Sequence, residues 1–287
     1  MPDLEEATKN GGERSDTKGR YFVRFTAGQR FLHATLFTAF LVLAATGLTM
    51  RFSESFWARK LALDMGGFGT ILFLHKFWAS VLTIAFLIHV KEVFQRSLVH
   101  RDKGVFWGPD SMVANWKDVK DLLGHFRWFL GLGPRPQFER YSYWEKFDYW
   151  AVFWGMIVIG FSGYAMWFAP FFAQFLPGWA LNAALVIHSE EGLLAILFIF
   201  SIHFVNTHLR PHSFPMDMVI FTGVESEEEF IHKRPLEYER AARTGKLEKR
   251  LAVAPGAWEV NFSRVVGFTA IFIGLLLLVL TLTAYFG

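Results

Sequence analysis

Residues 181–206 read LNAALVIHSEEGLLAILFIFSIHFVN, an apolar run interrupted by two histidines, His188 and His203. A transmembrane helix needs about 20 mostly apolar residues, and this stretch meets that length. Four further runs of the same kind occur at 31–50, 70–90, 149–168 and 265–286. They hold much of a composition that is 53% hydrophobic, with 33 Phe and 11 Trp in 287 residues. A bilayer is the natural solvent for such runs. The fold class expected is all-α: an integral membrane helical bundle with five transmembrane helices.

The first twenty residues, MPDLEEATKNGGERSDTKGR, are polar and carry both signs of charge, unlike a cleavable secretory leader. They read as a disordered cytoplasmic tail. The chain has no cysteine, which excludes disulfides, thiolate-held iron-sulfur clusters and c-type haem attachment within it. If the helices cross alternately, the N-terminal tail and the stretches 91–148 and 207–264 share one side and hold nearly all the Lys and Arg. The other side has only Arg51, Arg59 and Lys60. The positive-inside rule then makes the N-terminus cytoplasmic and the C-terminus periplasmic or extracellular, in a multi-pass protein of a bacterial or archaeal inner membrane.

Two cytoplasmic connections are long for a helical bundle. In the first, Trp116, Val119, Leu122, Leu123, Phe126 and Phe129 recur at helical spacing with Lys117, Lys120 and Asp121 between them. This predicts an amphipathic interfacial helix, either a lid over the bundle or a docking surface. The second, 225–250, is dense in charge and reads as a solvated helix or partner contact.

The chain has ten histidines. His33 lies near the cytoplasmic start of the first span. His75 and His89 lie near the outer and inner ends of the second, and His188 and His203 repeat that arrangement on the fourth. Fourteen residues from His75 to His89 give a rise of about 21 Å and a net rotation of about 40°. Fifteen from His188 to His203 leave about 60° between the rings, a looser fit that calls for a bend or bulge near Gly192. Imidazole in hydrocarbon is costly, and a haem held between two facing imidazoles satisfies their nitrogens. Zinc is disfavoured because no H-x-x-x-H or carboxylate cluster appears within the spans. His100, His125, His212 and His232 fall in expected loops and read as solvated. Gly47, Gly155, Gly160 and Gly163 would allow close approach of helices or of a macrocycle. No phosphate loop, nucleotide fingerprint or catalytic triad is present, and no nucleic-acid partner is expected.

The spans also resemble a known family. RFLHATLFTAFLVLAATGL in the first, LHKFWASVLTIAFLIH in the second, RYSYWEKFDYWAVFWGMIVIGFSGYAMW approaching the third and HSEEGLLAILFIFSIHFVNTHLRP in the fourth resemble the cytochrome b subunits of membrane-bound formate dehydrogenases and nickel-iron hydrogenases. The likeness runs from about residue 29 to 223, leaving the fifth span outside it. It implies a four-helix haem-binding core plus one extra C-terminal span, with two b-type haems. His75 with His188 would hold the outer haem and His33 with His203 the inner one. Symmetry instead pairs His89 with His203, and a third haem using His208 is a further alternative. The family's quinone motif has Asn and Gln where this chain has Ser142 and Glu145; Tyr141 and Lys146 remain. Arg24, Arg30 and Arg210 flank helix ends at the level of inner-haem propionates, and Lys76 could meet an outer one.

The domain layout expected is a tail at 1–29, a haem-binding membrane domain at 30–209 with an amphipathic insertion at 96–146, a charged segment at 210–262 and a fifth helix at 263–287. The function expected is a non-catalytic electron-transfer subunit of a respiratory oxidoreductase, linking a partner to menaquinone or ubiquinone. That partner would be an iron-sulfur, flavoprotein or multihaem cytochrome subunit, and membrane lipid surrounds the bundle. A stand-alone quinone-coupled haem enzyme, similar to superoxide oxidase, and a non-haem membrane anchor are the alternatives.

Overall fold

Helix starts in this chain are set by capping boxes, and these lengthen the spans beyond their apolar runs. Thr26 accepts from the Gln29 N–H while the Gln29 side chain accepts from the Thr26 N–H, which satisfies two orphan donors at once. The first span therefore begins at Ala27. Ser142 and Glu145 form a second such box, so the third span begins at Tyr143, six residues before its apolar run. The computed structural model describes residues 19–210 and 213–286; most of the expected tail, and His212, lie outside them.

The described elements, in order, are β1 (Tyr21–Val23), α1 (Ala27–Arg51), α2 (Phe56–Asp64), α3 (Phe68–Val99), α4 (Trp116–Phe129), α5 (Tyr143–Trp167), α6 (Ala169–Phe172), α7 (Gly178–Thr207), α8 (Val219–Thr222), β2 (Val224–Ser226), α9 (Glu227–Lys233), α10 (Pro235–Arg243), β3 (Leu251–Ala252) and α11 (Ala257–Phe286). Among them α1, α3, α5, α7 and α11 are long and apolar enough to cross a membrane. Most of their side chains face outward, as lipid permits at no cost to apolar groups. The shared core joins α1, α7 and α11 through Leu48, Leu193, Ile196, Phe200, Phe204 and Ile271. Close approach of α11 requires Gly274, because a Cβ there would lie 2.7 Å from both Phe200 and Phe204.

Three spans contain a π turn, at 95–99 in α3, 156–160 in α5 and 199–203 in α7. The last corrects the expected irregularity near Gly192, which sits in regular helix. A π turn absorbs about one extra residue. The 15-residue interval from His188 to His203 then behaves as about 14, bringing the rings back to within about 40° of a common face.

The charged segment is not a solvated helix. β1 lies between β2 and β3 in an antiparallel sheet, with Tyr21 opposite Ser226 and Ala252; α9 and α10 cover Phe22 through Phe230 and Ala241, and Leu247, beyond α10, completes the cluster. We call this unit the module, and the end of the bundle beneath it the module end. Its centre is Glu237, fully buried and bonded to Arg140 at 3.0 Å, Arg234 at 3.0 Å and Arg250 at 2.7 Å, with Arg24 at 3.8 Å. Burial alone would raise this carboxyl, but Arg234, Arg24 and Arg140 and the Arg250 hydrogen bond outweigh it and hold it at about 2. A depressed carboxyl contributes stability above its ordinary pKa near 4.5 and loses it as pH falls towards 2. Glu237→Gln leaves buried guanidinium groups without a counter-charge, so it is expected to destabilise the module by about 3–5 kcal/mol. Hydrogen exchange of residues 21–23 and 224–252 reads that loss.

The expected amphipathic helix is present as α4, with its polar side turned to the bundle. Asp118 accepts from Lys146 of α5 at 2.9 Å, and both are buried. Trp116, Leu123, Phe126 and Phe129 point outward. His125, expected to be a solvated loop residue, is buried on α4 among Phe129, Phe138 and Trp144. Burial, with Arg210 and Arg135 nearby, lowers its pKa. His232 likewise lies on a helix, α9, with its ring 3.4 Å from Arg135, whereas His100 is exposed beyond α3.

Candidate functional site

Facing sides of α1, α3, α5 and α7 enclose a cavity of about 1750 Å³. That exceeds the 300–1,000 Å³ of an ordinary small-molecule site, so it has room for more than one large ligand. Its walls are mainly apolar, and His33, His75, His188, His203 and His208 all line it. His89 does not.

At the end away from the module, the ring centres of His75 and His188 are 6.1 Å apart. The Nδ1 of His188 lies 2.9 Å from the Ile159 carbonyl oxygen, which only accepts, so Nδ1 carries the proton. The Nδ1 of His75 lies 2.9 Å from the Thr46 hydroxyl, and that hydroxyl already donates to the Val42 carbonyl at 2.7 Å. It therefore accepts from His75. Each ring is left with a lone pair on Nε2, the tautomer of a metal-bound imidazole whose other nitrogen is anchored. Two imidazoles so anchored and this close together would hold an iron-centred group between them. Gly163 completes the pocket: a Cβ there would lie 2.9 Å from His188 Cε1. Gly47 stands similarly beside His75, whereas Gly155 and Gly160 meet only side chains of their own helix.

At the module end, His203 donates through Nδ1 to Asp148 at 2.9 Å, again leaving Nε2 free. His33 lies within electrostatic reach of His203 and His208. The buried Nδ1 of His208 has no hydrogen-bond partner among the described residues. His89 is turned elsewhere, its Nε2 2.9 Å from the Tyr149 hydroxyl. No group of three or more His, Asp or Glu converges on a bare ion among the described residues. An apolar cavity lined by His33, His75, His188 and His203, three of them anchored through Nδ1, fits haem as the group these residues would hold.

The smaller candidates are placed differently. Lys76 lines the cavity with its ammonium 5.3 Å from the Trp167 ring centre. Arg30 is outside the cavity lining and packs against Gly223, its buried Nε without a partner among the described residues. Arg210 lies over Trp144 at 4.1 Å and donates to Asn206. Ser142 and Glu145 line the cavity, but their polar atoms serve the helix cap and Arg24. Sequence reasoning missed Thr46, Asp148 and the Ile159 carbonyl. Asp148 was findable as a carboxylate at the edge of an apolar run, while a backbone acceptor leaves no signal in sequence.

Residues 24–220 match the family model described as prokaryotic cytochrome b561. The chain is also similar to the formate dehydrogenase cytochrome b556(fdo) subunits of Escherichia coli strains K12 and O157:H7, at 26% identity over 189 residues. That alignment covers 65% of this chain and 77% of each relative.

Proposed function

The chain belongs to the prokaryotic cytochrome b561 family, an integral membrane cytochrome b of electron transport, and from that premise we propose a specific circuit for it. The chain would link a partner redox subunit to the membrane quinone pool, menaquinone or ubiquinone, with two b-type haems as its electron carriers. His75 and His188 would hold the far-end haem, and His33 and His203 the module-end haem. Bound haem supplies one-electron carriage; this chain's residues set its ligation, polarity and spacing. Thr46, the Ile159 carbonyl and Asp148 fix the ring tautomers of His75, His188 and His203.

The observation that carries this reading is the 6.1 Å pairing of His75 with His188, each with Nδ1 already engaged. The charge distribution supports a cytoplasmic module end in an inner membrane. A folded module there, with α4 beside it, supports docking of an iron-sulfur, flavoprotein or multihaem cytochrome partner on that side. Purified protein from haem-replete cells is expected to show a b-type band on dithionite reduction, a haem-to-protein ratio of two, and reduction by added quinol. Colourless protein, or a ratio of one, overturns the circuit.

A further inference from the structure

His89 is left over once His33, His75, His188 and His203 are assigned, and the fold gives it a partner instead of a place in the cavity. Its Nε2 and the Tyr149 hydroxyl lie 2.9 Å apart, bridging α3 and α5. Both residues are half-buried, while Leu87, Ile88, Val90 and Trp150 around them are exposed. The pair thus sits where the bundle meets lipid. Tyr149, Trp150 and Phe153 also line the cavity, so the same spot borders it from the other side. The rings of Phe86 and Phe153, 5.0 Å apart, flank it, and Phe153 lies 6.1 Å from the His89 ring. A polar pair at the lipid border is costly and marks function by default, and stapling two membrane helices through one hydrogen bond returns little.

We propose that His89 and Tyr149 bind the head group of a lipophilic quinone that enters from the bilayer between α3 and α5. This rests on the quinone coupling proposed above and gives it a place. A quinone carbonyl needs a donor and a quinol hydroxyl needs an acceptor. The imidazole–phenol pair presents either, because one imidazole nitrogen donates while the other accepts and the phenol does both. Phe86 and Phe153 offer faces and edges to a flat ring. Asp148, the residue before Tyr149 in α5, holds His203, so the pair lies at the same level of the bundle as the module-end histidine. Ser142 and Glu145 are spent on one another: Glu145 Oε2 takes both the Ser142 N–H and O–H, and Oε1 takes Arg24.

The test titrates a fluorescent hydroxyquinoline N-oxide, a quinone analogue, into the purified haem-loaded protein and reads binding from quenching. Wild type is expected to bind saturably, and Tyr149→Phe and His89→Gln each to weaken binding about ten-fold with full haem content. Ser142→Ala is expected to bind as wild type does. Equal affinity in wild type and both pair variants overturns this placement while leaving quinone coupling intact; no saturable binding by wild type overturns both. Loss of a haem from His89→Gln returns that histidine to iron and overturns the assignment. A lowered thermal midpoint with unchanged probe affinity makes the pair a structural staple only, which overturns it as well.

Discussion

Replacing His188 with Leu in the full-length chain is expected to remove the far-end haem alone, halving the haem-to-protein ratio and leaving one component in a redox titration. The imidazole is held by the Ile159 carbonyl against Gly163 and faces His75 at 6.1 Å. Leucine supplies the bulk but neither the lone pair nor the anchor. His75 alone would not keep the far-end haem, so the loss should be complete for that haem and absent for the other, whose histidines lie about 20 Å away along the helices. Gly163→Val should reproduce the result with His188 still present, because its first added carbon already falls 2.9 Å from His188 Cε1 and displaces the ring. Gly160→Ala is the matched control; its Cβ would meet only Met156, at 4.0 Å. Retention of both haems in His188→Leu breaks the assignment.

The second large effect separates His33 from His89. His33→Leu is expected to cost the module-end haem and halve the ratio, whereas His89→Leu is expected to keep both. The reason is directional: His33 lines the same cavity as His203, while the Nε2 of His89 is given to Tyr149 and the residue stands outside the cavity lining. Pyridine haemochrome assays on the two variants decide it, and the opposite pattern would restore the pairing of His89 with His203.

Much of this was legible before any coordinate. The five spans follow from run length and the matched histidine depths from the rise per residue. Both are local properties fixed by the bilayer's thickness and by helix geometry. The span starts were less legible, since Thr26 with Gln29 and Ser142 with Glu145 are polar and fall outside any hydropathy window. The charged segment misled because its central acid, Glu237, is buried among guanidinium groups, two of which, Arg24 and Arg140, come from far away in the chain.

The sequence by itself determined that this chain is a membrane bundle carrying imidazoles at two depths. Only the tertiary structure decided which imidazoles share a space. That choice depends on contacts such as His203 with Asp148 and His89 with Tyr149, and on a π turn that resets the phase of one helix. Azimuth around a helix accumulates over every residue, so a single extra residue in a turn redirects a side chain by about 100°, and nothing in the local pattern announces it.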